Sequence, residues 1–534
     1  MADILLVFPT SGNDIRGVTI TAPLSLLAIA GPLLEDYSVQ IIDQRATDDF
    51  WGDLESALKT HPRVVGITSL TGTQIYHGIE ISKFVKARLS VPVVWGGLHA
   101  TLYPAQTVAK PYIDYVIRGE GEVAFKMLVD EITSPSPDLE KVPALTFKKD
   151  GRIYSTPAGT PLELDSLPQM PWHLVDVEEY TTPSSYLYPG VSRLLSFIAS
   201  RGCPFPCTYC SQPILTSKYR MMSPKRVLDD LHWTVDQFNL DHILLFDDEF
   251  LVNAKWATDI AEGINGKFTW GVQGRVNDLL RVDLKKMERC GMIYAMPGIE
   301  SGAPRILERI RKNQTVDEVK EVSRRLNETK IHCQVNFMVG FPDETLDELG
   351  ETIDLALHIM NTNTMAVINS FSPVTPLPGT EMLHQVIRDY DFKEPETLEG
   401  WINITRGKQE RPWLDAKRVR VIRFLYFTSL FVQTAERYGQ KLPIPKFVFR
   451  LYSKFIQFRW KRRLYWMDWE IPLMRLLWKW FVNPTDFIDI AKYSDGIGAK
   501  ESSIEMIPLK ESEVELGEFQ IPIKESRFKA KTFA

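Results

Sequence analysis

Three of the chain's five cysteines, Cys203, Cys207 and Cys210, are separated by only three and then two residues. Thiolates at this spacing can wrap one face of a small iron–sulfur cluster, and three of them leave one iron of a four-iron cluster without a protein ligand. Two blander readings use the same residues. A structural zinc site usually recruits four ligands, yet Cys290 and Cys333 stand alone further along the chain. Three incidental thiols would need no further partner. Gly202 allows backbone to approach the sulfurs, while Pro204 and Pro206 stiffen the loop. So few cysteines in 534 residues argue against a disulfide framework and for a reducing compartment.

The elements that must position this loop alternate strand and helix. Leu194–Ser200, Ile243–Phe246, Phe268–Val272, Ile293–Met296, Val335–Val339 and Ala366–Phe371 read as buried parallel strands, with helices such as Pro224–Phe238 and Thr315–Glu328 between them. Six such units form a partial (β/α)6 barrel with its function at the C-terminal strand ends. The cysteine loop follows the first strand, Glu249 the second, Gln273 and Arg275 the third, and Glu300 and Ser301 the fourth. Gly340–Thr345 and Thr375–Thr380 follow the fifth and sixth. An isolated strand-end glutamate is ordinarily solvated or salt-bridged; the active face of a barrel reverses that expectation for Glu249 and Glu300.

The N-terminal part has its own alternation. Strands Ile4–Phe8, Val39–Ile42, Val64–Ser69, Val93–Trp95 and Tyr115–Ile117 are separated by helices Leu24–Leu34, Trp51–Lys59, Ile75–Leu89 and Glu122–Ile132. This is a doubly wound, flavodoxin-like parallel sheet that binds ligands at the carboxyl ends of its strands. Ser69, Gly72, Gly96, Gly97, His99, Gly119 and Gly121 fall there. Small residues let backbone approach a flat ligand, and helix N-termini can receive a phosphate. No GxGxxG follows the first strand, which weakens a dinucleotide reading. The division expected is a ligand-binding domain over 1–140, a β-ribbon and Pro-rich linker over 141–190, the barrel over 191–390, a helical aromatic and basic region over 391–498, and a mixed-charge tail over 499–534.

Taken in order, these motifs resemble two fused families. Residues from Arg193 to Thr380 resemble the radical S-adenosylmethionine enzymes, through CxxxCxxC and the strand-end motifs Phe246–Phe250, Gln273–Arg275 and Gly298–Gly302. Residues from Ala2 to Ile132 are similar to the cobalamin-binding domain joined to many such enzymes, through Ser69–Gly72, Gly96–Thr101 and Arg118–Glu122. The resemblance implies a [4Fe-4S] cluster on Cys203, Cys207 and Cys210, whose open iron holds S-adenosylmethionine. It implies contacts from Glu249 near the methionine amino group and from Glu300 and Ser301 near the ribose and carboxylate. Arg275 belongs to the same contact set. Asp43-Gln44-Arg45-Ala46 lacks the histidine that supplies a lower axial cobalt ligand in His-on cobalamin proteins, so no such ligand is expected there; His99 is a second-shell candidate or an ordinary turn histidine. The implied reaction is methylation of an unactivated carbon, with cobalamin as methyl carrier and S-adenosylmethionine as both radical source and methyl donor. The alternatives are oxidative cyclisation of a tetrapyrrole with the same cofactors, and a corrinoid-binding protein with an inactive barrel. The intact cysteine motif argues against the last.

Composition narrows the partners. A net charge of −6 offers no attraction to nucleic acid. Met1–Asp3 leads directly into an apolar strand without a basic region, so no signal peptide is expected, and no apolar run is long enough to span a bilayer. A cytoplasmic enzyme is expected, and the family resemblance implies a flavodoxin- or ferredoxin-type electron donor and a small-molecule substrate. Between Lys441 and Trp480, ten basic residues face two acidic ones beside five tryptophans. Such a stretch suits either peripheral contact with the inner membrane face, and hence a lipid or tetrapyrrole substrate, or helices packed on the barrel under Arg and Lys stems.

Overall fold

The structure, a computed structural model, describes residues 2–12, 14, 20–181, 188, 190–216, 218–404, 411–433 and 446–465. In its N-terminal half, β1 (Ile4–Phe8), β2 (Val39–Asp43), β3 (Val64–Thr68), β4 (Val93–Gly96) and β5 (Tyr115–Ile117) run parallel in the order β2-β1-β3-β4-β5. The order reverses between β1 and β3, which opens a crevice at their carboxyl ends. The strands are apolar on both faces because each face is covered. Leu26, Ala30, Phe125 and Leu128 pack on Ile4, Leu6 and Val94, while Phe50, Leu54, Ile75 and Ile79 pack on Leu5, Val7 and Val93.

Sequence patterning groups the following ribbon with the linker; the structure joins it to the sheet instead. β6 (Leu145–Lys149) pairs antiparallel with β5, and β7 (Arg152–Ser155) pairs with β6. Leu145 and Phe147 continue the apolar cluster of helix Glu122–Thr133, so detaching the ribbon would expose them. The Pro-rich segment is likewise a packed strap rather than a spacer. Leu164, Leu167, Trp172, Val177 and Tyr180 are buried in the cluster that contains the barrel core. The Tyr180 hydroxyl donates to Asp43 Oδ2 at 3.0 Å, on the end of β2.

β8 (Leu194–Phe197) begins the second unit and is followed by a short antiparallel ribbon, β9 (Ser200–Arg201) with β10 (Arg220–Met221). β11 (His242–Leu245), β12 (Thr269–Arg275), β13 (Met292–Glu300), β14 (His332–Val339) and β15 (Ala366–Pro373) complete an open, six-stranded, all-parallel sheet in the order β15-β14-β13-β12-β11-β8. β12 and β13 run past their apolar stretches to Arg275 and Glu300, so these polar residues are the last strand positions and not loop residues. The hydrophobic pattern stops where the strands enter a polar site, although the ladder continues with Arg275 opposite Gly298. Thr315 with Glu318 and Thr345 with Glu348 form capping boxes that start the two helices flanking β14.

After the barrel the chain returns to the first sheet. Leu383, Val386, Phe392, Leu398, Trp401 and Trp413 share a cluster with Ile75, Ile79 and Trp95. The aromatic and basic region is described only through Tyr465, so Trp466, Arg475, Trp478 and the tail 499–534 lie outside the described residues. In helix Lys446–Lys461, Trp460 and Arg459 are fully buried, the Arg459 guanidinium lying 4.3 Å over the Phe424 ring. Arg463 pairs with Asp354 at 2.6 Å and donates to the Gly350 carbonyl. Phe447, Leu451, Phe455 and Phe458 are exposed, with Arg450, Lys454, Lys461 and Arg462 also exposed. Packing therefore explains Arg459 and Arg463 but not the outer stripe. Arg459→Glu is expected to destabilise the fold by about 3–5 kcal/mol, since it buries an unpaired charge; Lys461→Glu with Arg462→Glu should leave the thermal melting midpoint within about 2 °C. No helix among the described residues is long and apolar enough to cross a membrane.

Candidate active site

The cysteine loop is tied at both ends. The β9–β10 ribbon closes it, pairing Arg201 with Arg220. Asp247 Oδ1 accepts the Ala199 amide at 3.1 Å, the Ser200 hydroxyl at 2.6 Å and the Ser200 amide. Asp248 accepts the Gly202 amide at 3.0 Å and the Gln212 side chain at 2.5 Å, on either side of the three cysteines. Gly202 has φ 88°, and a Cβ there would lie 2.7 Å from the Lys218 carbonyl, so only glycine fits. Cys203, Cys207 and Cys210 are free and half-buried. Burial pushes the Cys203 thiol up to about 11 and raises Cys210 as well. Cluster assembly must therefore displace thiol protons. Among the described residues, no three His, Cys, Asp or Glu side chains converge on the position of a single ion. Cys290 and Cys333 are buried in the barrel core, Cys333 near the amino end of β14.

Beside this loop lies a buried polar group contributed by strand ends. Glu249 is 3% exposed, its Oε1 has no hydrogen-bond partner, and burial pushes its carboxyl up to about 7. Arg275 Nη2 donates to the Lys312 carbonyl, while its Nε and Nη1 are unpartnered and its guanidinium lies 3.7 Å over Phe205 of the cysteine motif. Glu300 holds φ 65°, uncommon for a non-glycine residue. Its Oε1 accepts from Lys312 Nζ at 2.8 Å and from the Tyr209 hydroxyl at 3.0 Å. Ser301 turns away, its hydroxyl 3.0 Å from that of Thr352. An orphaned carboxylate oxygen and two orphaned guanidinium nitrogens beside a three-cysteine loop suit an amino acid moiety, ammonium to Glu249 and carboxylate to Arg275. S-adenosylmethionine carries that moiety.

A cavity of about 380 Å³ lies between the two sheets. Gly96, Gly97, Gly119 and Gly121 line one wall; Arg201 and Gln212 of the cysteine loop and Asp248 after β11 line the other. Leu6 and Gly66 of the first sheet, with Phe125 packed on it, add an apolar lining. Gly97 has φ 87°, and a Cβ on it would lie 2.8 Å from Ser69 backbone. A flat macrocycle against the glycine wall, with apolar groups over Leu6 and Phe125, suits these surfaces, which is what cobalamin presents. Ser69, Gly72 and His99 are not in the cavity wall. Ser69 bonds the Gly96 carbonyl, and Gly72 starts helix Thr73–Lys86. His99 is fully buried against Tyr103 and Trp401, with Nδ1 3.0 Å from the Thr71 hydroxyl. Desolvation lowers its pKa to about 3 and keeps it neutral. Asp43 is engaged by Arg45 at 2.6 Å and by Tyr180.

Comparison with known proteins matches each half of the chain to a family. Residues 197–356 match the model of the radical SAM superfamily, and residues 15–129 match the B12 binding domain. An uncharacterized methyltransferase of Pyrococcus horikoshii is 33% identical over 396 residues, covering 72% of this chain and 83% of that one. The chain belongs to the cobalamin-dependent radical S-adenosylmethionine enzymes. The anaerobic magnesium-protoporphyrin IX monomethyl ester cyclase of Rubrivivax gelatinosus is 30% identical, the match covering 62% of this chain but only 60% of the cyclase. The cobalamin-dependent radical enzyme OxsB with aqua-cobalamin bound shares the fold, with a TM-score of 0.69 at 17% identity over 92% of this chain and 77% of that one. The cofactors of this family are a [4Fe-4S] cluster, S-adenosylmethionine and cobalamin.

Several site residues carry no periodic signal and escape a reading built on cysteines and glycines. Lys312 and Tyr209 neutralise and hold Glu300, and Asp247 and Asp248 pin the loop. The one available cue was adjacency, since each lies within or beside a quoted motif or a basic run. Glu344, after β14, adds a pH dependence. Its Oε2 accepts the Gly340 amide at 2.6 Å, yet burial pushes its pKa up to about 7 from an ordinary 4.5. A raised folded-state pKa favours folding below pH 4.5 and loses that contribution as pH rises through 7. Glu344→Gln keeps an acceptor for Gly340. Its stability relative to the parent should improve by on the order of 3 kcal/mol between pH 4.5 and 8, read from melting midpoints across pH.

Proposed function

We propose that this chain methylates an unactivated carbon of a small-molecule substrate. Cys203, Cys207 and Cys210 hold the cluster; Glu249, Arg275 and Glu300 orient S-adenosylmethionine, with Ser301 shaping the turn behind Glu300. Gly96, Gly97, Gly119 and Gly121 receive the corrin, while Ser69, Gly72 and His99 support that wall from behind. When bound, the cluster and S-adenosylmethionine supply a carbon radical, and cobalamin supplies the methyl transfer. The chain's own residues orient both cofactors and exclude water. The observation that carries this reading is the cavity between the glycine turns and Arg201 and Gln212, the residues that flank the three cysteines.

Pro204 and Pro206 bring the cysteine loop to the surface, where a flavodoxin- or ferredoxin-type protein can deliver electrons. The exposed stripe Phe447, Leu451, Phe455 and Phe458 with its neighbouring cations supports peripheral contact with an anionic membrane and a lipid or tetrapyrrole substrate. Oxidative cyclisation with the same cofactors is the second reading, favoured by the likeness to the cyclase. Reconstituted enzyme given S-adenosylmethionine labelled in its methyl group, with anaerobic cell extract, separates them. Methylation puts label into a new small molecule; cyclisation consumes the donor without labelling a product.

A further inference from the structure

We propose that Glu120, Glu122, Arg201 and Arg220 form a clamp through which the corrin wall and the cysteine loop sense each other, with Arg201 as the positioning residue. This rests on the cofactor assignment above. Glu120 and Glu122 alternate with Gly119 and Gly121 on the turn that ends β5 and opens helix Glu122–Thr133. Arg201 and Arg220 face each other across the β9–β10 ribbon. Arg201 Nη2 donates to Glu122 Oε1 at 2.6 Å, and its Nη1 lies 3.4 Å from Glu120 Oε2. Arg220 donates through Nη1 to Glu120 Oε2 at 3.2 Å and to the Leu162 carbonyl at 2.7 Å, and through Nη2 to Glu120 Oε1. Two guanidinium groups and two carboxylates thus balance in a sheltered site, the Glu122 side chain being 4% exposed and that of Arg201 19%.

Two features distinguish this from ordinary packing. Glu120, Glu122 and Arg201 line the cavity themselves, so a ligand seated against Gly119 and Gly121 bears on the turn that holds Arg201. Arg201 is also two residues before Cys203, and the intervening Gly202 is fixed by Asp248. A displacement of the Glu120–Glu122 turn is therefore passed through a guanidinium fork to the backbone that sets Cys203. A fork gripping two carboxylates transmits direction as well as charge, which a single ammonium does less well. Coupling of this kind is reciprocal: if the corrin steadies the cysteine loop, the assembled cluster must raise corrin affinity by the same factor.

The test is titration of the full chain with hydroxocobalamin, followed by absorbance, with the cluster reconstituted and again after a chelator has removed the iron. The parent chain should bind about tenfold more tightly when the cluster is present. Arg201→Gln should bind equally well in both states, Glu122→Gln should lose the same dependence from the opposite side of the clamp, and Arg201→Lys should recover part of it. Should Arg201→Gln fail to assemble a cluster, Glu120→Gln and Glu122→Gln decide, since both lie on the other sheet. Parent and variants showing the same cluster dependence, or a parent showing none, would overturn the clamp. A cluster-loaded parent that never binds hydroxocobalamin would instead defeat the cofactor assignment and take the clamp with it.

Discussion

Alanine at Cys203, Cys207 or Cys210 is expected to abolish the iron–sulfur absorbance and reduce cleavage of S-adenosylmethionine to background. In the proposed assignment each thiolate ligates one iron, and the two remaining cysteines, Cys290 and Cys333, are enclosed in the barrel core and out of reach. The loop should survive the substitutions, because backbone bonds hold it independently of sulfur. Thr208 donates to the Ile310 carbonyl at 3.1 Å, and Met382 donates to the Thr208 carbonyl at 2.9 Å. Lost iron would then report ligation and not unfolding, which circular dichroism can check. Cys290→Ala and Cys333→Ala should retain full iron at a cost of about 1–2 kcal/mol of stability. Full iron loading in the triple Cys203/Cys207/Cys210 variant would refute the ligand assignment.

The second large effect is expected at Gly96. A Cβ there meets only the Ile117 carbonyl, at 3.8 Å, and Gly96 lines the cavity. Gly96→Leu should therefore put its side chain where the corrin belongs, weakening cobalamin binding at least a hundredfold while leaving cluster content unchanged. Gly97 is a poorer probe despite its place in the same wall. Its positive φ and its closeness to Ser69 mean that any side chain first distorts the ends of β3 and β4. Gly97→Ala should lower both stability and cobalamin binding, and the contrast between the two variants separates filling the cavity from breaking its wall. Normal cobalamin uptake by Gly96→Leu would show that the corrin sits elsewhere.

The alternating pattern was legible because buried parallel strands write themselves as short runs such as Ile4–Phe8 and Val335–Val339. Strand ends were not, because Arg275 and Glu300 extend their ladders with polar residues that no hydrophobic period marks. The cysteine loop was legible from spacing alone. Its supports were not: Asp247, Asp248 and Lys312 act through tertiary contacts to residues far away in sequence. His99 and Ser69 looked like ligand contacts since they sit in glycine-rich turns, yet both side chains are used inside the fold. The Pro-rich strap misled for a related reason. Proline frequency marks irregular backbone, but burial of Trp172 and Tyr180 decides whether that backbone is a spacer or part of the core. In the C-terminal stretch, sequence could not divide Arg459, stacked inside, from Lys461, exposed outside.

Radical formation and methyl transfer are expected to occur in one turnover on this chain. The ratio of 5′-deoxyadenosine to S-adenosylhomocysteine released as product accumulates under anaerobic reducing conditions tests this coupling. One equivalent of each per product is expected, since one S-adenosylmethionine is cleaved and a second gives up its methyl group. Formation of 5′-deoxyadenosine and product without S-adenosylhomocysteine would contradict methyl transfer.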